Sequence, residues 1–170
     1  MQQDLTNELI TQAIYRLEEN TPKIQKCLDE LTEDEIWQRP NPSSNSIGNI
    51  ILHLCGNITQ YILSALGGIE DKRERDKEFS TKGGLSKKEL FDKLQSTLTQ
   101  ATDIIRDINK EDLLRKRLVQ GFELSAIGII LHVVEHYSYH TGQTIFWTKL
   151  LKGKDLGFYS NTDLNKKNVV

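Results

Sequence analysis

Three of the chain's four histidines stand within Leu131 to Gln143, which reads L-H-V-V-E-H-Y-S-Y-H-T-G-Q. His132, His136 and His140 follow one another at an i, i+4, i+8 spacing, and His53 lies far upstream. On a helix, residues four apart share a face and sit about 6 Å apart along the axis. Two imidazoles so placed can share one ion through bonds of ~2.0–2.1 Å, whereas an i, i+8 pair, ~12 Å apart, cannot. The stretch therefore offers one pair, His132 with His136 or His136 with His140, and spacing leaves both open. With His53 as a third imidazole a fourth position stays free, as in catalytic rather than structural zinc sites. A water or thiol bound there loses its proton near neutral pH. The bland alternative is a packing surface, because Tyr137, Tyr139 and Trp147 share the stretch. Glu135 points roughly 100° from His136 and faces solvent. The spacing lacks the Glu of H-E-x-x-H, which disfavours a zincin-type protease.

Composition narrows the remaining classes. At 170 residues the chain is one domain, long enough to bury a core without disulfides. The 22 basic and 24 acidic residues, net −2, give no electrostatic reason to expect nucleic acid. No apolar run reaches the ~18 residues of a membrane span, and the polar start Met1-Gln2-Gln3-Asp4 is no secretory signal. Cys27 and Cys55 show no pairing pattern and read as buried thiols in a reduced, cytoplasmic protein. Glycine-rich phosphate loops, nucleophile motifs and RNA-binding signatures are absent from the sequence.

The elements that must position the histidines are helices. Ile10, Ile14, Leu17, Thr21, Ile24, Leu28 and Leu31 alternate four and three apart, predicting a helix over 5–30, kinked at Pro22 but keeping its phase. Thr32 to Glu35 form a capping box that opens a short turn with Ile36 and Trp37. The breaker from Arg39 to Ser46 ends it, and Ser46 or Asn45 caps a second helix over 47–66. Its stripe is Ile47, Ile50, Leu54, Ile58, Tyr61, Ile62 and Ala65, with His53 roughly 120° from the centre, where a second surface can cover it.

Gly67-Gly68 stops that helix. A charged connection, 69–84, is long enough to return the chain to the other end, so helices 2 and 3 need not be antiparallel. Ser86 to Glu89 is a second capping box, opening a helix to Ile108 with Leu90, Leu94, Leu98, Ala101, Ile104 and Ile105 inward. Asn109 to Phe122 is ambiguous, with a turn at Lys110-Glu111-Asp112 and a short extended run at Arg117-Leu118-Val119. The last helix starts at Glu123 or Ser125 and runs to Leu151. Its periodicity puts Ile127, Ile130, Leu131, Val134 and Ile145 on one face. Ile129, Val133, His136, His140 and Trp147 fall opposite, so a loop or second subunit must cover the side away from the core. The tail is polar, with Leu156, Phe158 and Tyr159 packing back and residues from Asn161 mobile. The domain is thus 1–160, with 161–170 as a tail. Ile50-Ile51-Leu52-His53-Leu54 also echoes Ile129-Ile130-Leu131-His132-Val133, as amphipathic composition alone can.

P-N-P-S-S-N-S-I-G-N-I-I-L-H-L-C-G-N around His53, taken with H-V-V-E-H-Y-S-Y-H-T-G-Q, resembles the DinB-like (damage-inducible) superfamily of four-helix bundles. Leu31-Thr32-Glu33 through Trp37, Arg39-Pro40 and Lys152-Gly153-Lys154-Asp155-Leu156 are similar to its DUF1572 branch, so the likeness spans nearly the whole chain. The resemblance implies an all-α four-helix bundle with a long connection between helices 2 and 3. It implies that a helix-2 histidine and the H-x-x-x-H pair before G-Q hold a divalent metal, commonly zinc or nickel. By position these are His53, His136 and His140; His132 becomes an extra, either a plain polar residue or one that orients a ligand. Characterised members imply a metal-dependent thiol S-transferase acting on a small-molecule substrate, with a low-molecular-weight thiol such as bacillithiol as co-substrate. They also imply a homodimer. The alternative expectation is a non-catalytic metal-binding stress-response or interaction protein.

Overall fold

The computed structural model describes residues 2–169; Met1 and Val170, the outermost residues of the two ends discussed above, lie outside the described residues. Four long helices form the bundle: α1 (Gln2–Glu30), α3 (Ile47–Ile58), α5 (Lys87–Arg106) and α7 (Ala126–Lys152). Short helices α2 (Glu33–Trp37), α4 (Arg75–Ser80) and α6 (Lys110–Leu113) and a hairpin, β1 (Lys116–Val119) with β2 (Phe122–Ser125), join them. The packing order around the bundle is α1–α7–α3–α5 and back to α1.

Cross-helix contacts fix the directions. His53 meets His136 while Asn57, one turn on, meets His132, so α3 and α7 are antiparallel. Trp37 donates to the Leu85 carbonyl at the start of α5 and packs on Gly48 at the start of α3, where a Cβ would lie 2.7 Å from the indole. At the other end a Cβ on Gly67 would meet Ile104. Helices α3 and α5 therefore run parallel, which the long connection between them permits. Lys154 pairs with Glu30 and Lys152 with Glu35, bringing the ends of α1 and α7 together, so these also run parallel. The directions are up, down, down, up.

Local chemistry sets the boundaries. Thr32–Glu35 and Ser86–Glu89 form the capping boxes expected, and Ser46 caps α3 reciprocally with Asn49. Helix α1 passes Pro22 as one assigned helix. Gly153, at φ 62°, terminates α7 in the left-handed conformation. Leu17, Ile24, Leu31, Ile51, Leu54, Leu90, Leu94, Ile129, Ile130 and Tyr137 build one core. Apolar burial of this kind contributes about 25 cal/mol per Å².

Three expectations change, and the open choice at the start of α7 is decided. The second helix is not α-helical to Leu66: from Thr59 to Ser64 it widens into a π-helix. The connection after Gly67-Gly68 is not only a surface loop, because it contains α4 with its buried Glu78. Ser125, not Glu123, caps α7; Glu123 lies in β2, paired with Leu118. Gln120 and Gly121 make the hairpin turn, both at positive φ, the backbone a two-residue turn of this twist needs.

The third change is the face of α7. Ile129, Ile130 and Val133 are all in the core, with Tyr137, Thr141, Thr144 and Thr148 continuing the same stripe. The threonines are at most 1% exposed, and each hydroxyl donates to the carbonyl four residues back, so none of these hydroxyls is stranded. Leu131, Phe146 and Leu150 are exposed instead. Leu156 is buried and Phe158 half-buried against the bundle, with Lys23 and Lys26 over the Tyr159 and Phe158 rings.

Candidate metal centre

The antiparallel crossing of α3 and α7 brings three histidines to one point. His53 Nε2 lies 2.9 Å from His136 Nε2, and one ring nitrogen from each of His53, His136 and His140 falls within 4.8 Å of the others. The ring centroids of His53 are 4.9 Å from His136 and 5.1 Å from His140. Nitrogens bonded to one tetrahedral ion at ~2.0–2.1 Å stand ~3.3 Å apart, so the observed separations bracket that value. The set chosen by likeness, His53 with His136 and His140, is the one the geometry gathers.

Each ring has its second nitrogen accounted for where the structure shows a partner. His53 Nδ1 sits 2.9 Å from Glu78 Oε2. An ionised carboxylate only accepts, and the Arg73 Nη that lies 3.1 Å from the same Nδ1 already donates to Glu78 Oε2 at 2.8 Å, so the closer Glu78 contact assigns the proton to Nδ1 and the lone pair to Nε2. His140 Nδ1 is 2.8 Å from Gln143 Oε1, an acceptor, which likewise leaves His140 Nε2 free. Carboxylate or amide oxygens behind metal-binding imidazoles fix the tautomer and aim the ring. Glu78 was invisible to periodicity because it lies in the irregular connection; its only cue was a carboxylate in a charged run.

Several residues hold Glu78 in place. Arg73 grips its carboxylate at two points, Nε to Oε1 at 2.7 Å and an Nη to Oε2 at 2.8 Å. Gln60, on the π-helix, accepts from Arg73 at 2.9 Å and donates to Asp71 at 2.8 Å. Asn49 donates to the carbonyls of Glu78 and Thr81, and Arg39 to that of Phe79. These side chains satisfy carbonyls at the C-terminal end of α4 that the helix itself leaves unpaired. Gly56 makes room: a Cβ there would lie 2.7 Å from Glu78 Cδ.

The electrostatics favour neutral ligands. Burial, reinforced by the neighbouring His140, His53 and His132 and by Arg73, pushes His136 down to about 3. Burial likewise lowers His140 to about 4, against the Gln143 hydrogen bond and together with His53. Burial pushes the Glu78 carboxyl up, but hydrogen bonds from Arg73 and His53 outweigh it and hold it below the usual carboxylate value. Among the described residues no fourth His, Cys, Asp or Glu joins the three. Cys27 and Cys55 are buried in the core, and burial raises Cys55 to about 11.

His132 stands one turn before His136 and outside the group. Its ring stacks on Tyr61 at 4.2 Å and on His136 at 5.3 Å. Its Nε2 is 3.2 Å from Asn57 Nδ2, and Tyr61 in turn donates to Gln120 at 2.9 Å. This placement fits a residue that braces a ligand ring. Tyr61 and Gln60, consecutive on the π-helix, thus serve opposite flanks of the site, a common use of such a local widening. No helix among the described residues is long and apolar enough to cross a membrane.

The family described as "Protein of unknown function (DUF1572)" matches residues 4–162. Three solved structures share the fold. A conserved protein from Enterococcus faecalis superposes with a TM-score of 0.70 at 15% identity, covering 85% of this chain and 97% of that one. A DinB-like protein from Bacillus cereus gives 0.62 at 21% identity, covering 81% and 88%. A DinB-like protein from Bacillus subtilis gives 0.64 at 12% identity, covering 85% and 94%. No curated protein sequence matches the chain.

Proposed function

The chain belongs to the DUF1572 family and has the DinB-like fold, and from that premise we propose that it is a divalent-metal-dependent enzyme acting on a small molecule through a low-molecular-weight thiol. The observation that carries the reading is the convergence of His53, His136 and His140, with Glu78 Oε2 2.9 Å from His53 Nδ1. His53, His136 and His140 would hold a divalent ion, zinc or nickel as the resemblance implies, and it would supply stabilisation of a bound sulfur as its thiolate at neutral pH. Glu78 and Gln143 aim two of the rings, and burial keeps His136 and His140 neutral. Three protein ligands would leave a position open for the co-substrate, whose thiolate would form a carbon–sulfur bond to an electrophilic carbon as that carbon's bond to its leaving group breaks and the leaving group departs with the electron pair. Bacillithiol is one such thiol.

Location and assembly form part of the same proposal. Two buried, unpaired cysteines suit a reducing, cytoplasmic setting. Phe146 and Leu150, 69% and 62% exposed one turn apart on α7, suit the face of a homodimer. The enzyme reading is tested by incubating metal-loaded protein with small thiols, bacillithiol among them, and a panel of electrophiles. Metal-dependent consumption of both reactants supports it. Intact metal binding with no turnover across a broad panel favours the alternative, a non-catalytic metal-binding protein.

A further inference from the structure

We infer that Arg75 forms an anion subsite beside the three histidines, so that the small molecule taken there carries a carboxylate. The inference rests on the thiol reading for its location and extends it to substrate class. Arg75 and Phe79 lie one turn apart on α4 and share a face. The Phe79 ring packs on His53 with centroids 4.8 Å apart, and the Arg75 guanidinium carbon lies 4.8 Å from the Phe79 centroid. The guanidinium and the His53 ring thus both pack on the Phe79 ring, one ring removed from each other.

What the arginine leaves unused defines the ligand. Stacking occupies the face of the guanidinium and none of its N–H groups, which lie in the plane. Its side chain makes no hydrogen bond or ion pair with any described residue. The other arginines nearby are committed: Arg73 to Glu78 and Gln60, Arg39 to Asn49 and the Phe79 carbonyl. Glu78, the acid nearest the cluster, is itself gripped by Arg73. Arg75 is therefore the free cation of α4, pre-oriented by Phe79, and a planar fork of donors matches a carboxylate.

The test uses metal-loaded full-length protein and calorimetric titration with 3-mercaptopropionate, 2-mercaptoethanol and propionate. In the wild type the charged thiol should bind about tenfold tighter than the neutral one. Arg75→Ala should abolish that advantage while leaving affinity for 2-mercaptoethanol, metal content and melting temperature unchanged. Arg75→Lys should restore part of it. Equal binding of the two thiols by the wild type, or an advantage that survives Arg75→Ala, overturns the subsite. If neither thiol binds, the thiol reading falls and propionate decides the subsite alone. Propionate binding weakened by Arg75→Ala upholds it, and identical binding or none to both proteins overturns it.

Discussion

Glu78 Oε2 stands 2.9 Å from His53 Nδ1, so a carboxylate from the irregular connection sets the tautomer of a histidine on α3. Removing such an outer partner typically weakens metal binding 10–100-fold. Glu78→Gln should therefore raise the dissociation constant for zinc by about 10–100-fold, measured by chelator competition. Loss of Glu78 as Ala also strands Arg73, whose side chain is 3% exposed. An unpaired buried charge costs about 3–5 kcal/mol, and Glu78→Ala should melt well below Glu78→Gln.

Gly56 reports on the same contact from the other side. An alanine methyl there meets the Glu78 carboxylate and the Arg73 guanidinium, with Glu78 Cδ at 2.7 Å and Arg73 Nε at 3.0 Å. Gly56→Ala changes no ligand, yet it should weaken metal binding as Glu78→Gln does. Its helicity by circular dichroism should stay at the wild-type level, since Ala favours a helix over Gly.

His132 separates bracing from ligation. Its contacts are stacking on Tyr61 and His136 and a bond to Asn57. His132→Ala should keep one metal per chain, with affinity reduced but by less than Glu78→Gln. A complete loss of metal in this variant would make His132 a ligand.

Cys55 gives an alkaline signature. Burial raises its thiol to about 11, against about 8.5 when unfolded. The folded state therefore holds this proton where the unfolded state has lost it. The associated stability is full below pH ~8.5 and is lost as pH rises through about 11, some 3–4 kcal/mol in all. Chemical denaturation between pH 8 and 11 should show Cys55→Ala losing less stability than wild type over that window.

The dimer face is tested by Phe146→Ser with Leu150→Ser. Both side chains are exposed, so the double variant should fold normally. Sedimentation should show a dimer for the wild type and a monomer for the variant. A wild-type monomer at the same concentration contradicts the proposed homodimer.

The readable parts of this molecule are those with a period or a local motif. The stripe from Ile14 to Leu31 and the boxes at Thr32 and Ser86 gave α1, α2 and α5 because each depends on neighbours within one or two turns. Spacing alone could not choose between the two histidine pairs, since it carries no rotation of α7 against α3. The threonine stripe at Thr141, Thr144 and Thr148 carries no apolar period, so hydrophobic spacing does not mark it as buried. Their hydroxyls are satisfied within the helix, which lets them face the core. Glu78 and Arg73 escaped because their meaning lies in a contact with residue 53, and no local pattern records it.

Metal content by mass spectrometry after tag-free purification and zinc reconstitution tests the account at its centre. Wild type should retain one zinc per chain after desalting. His53→Ala, His136→Ala and His140→Ala should each retain almost none, with circular dichroism spectra still those of the helical bundle. Equal and negligible zinc in wild type and all three variants, with nickel giving the same result, would contradict the metal centre.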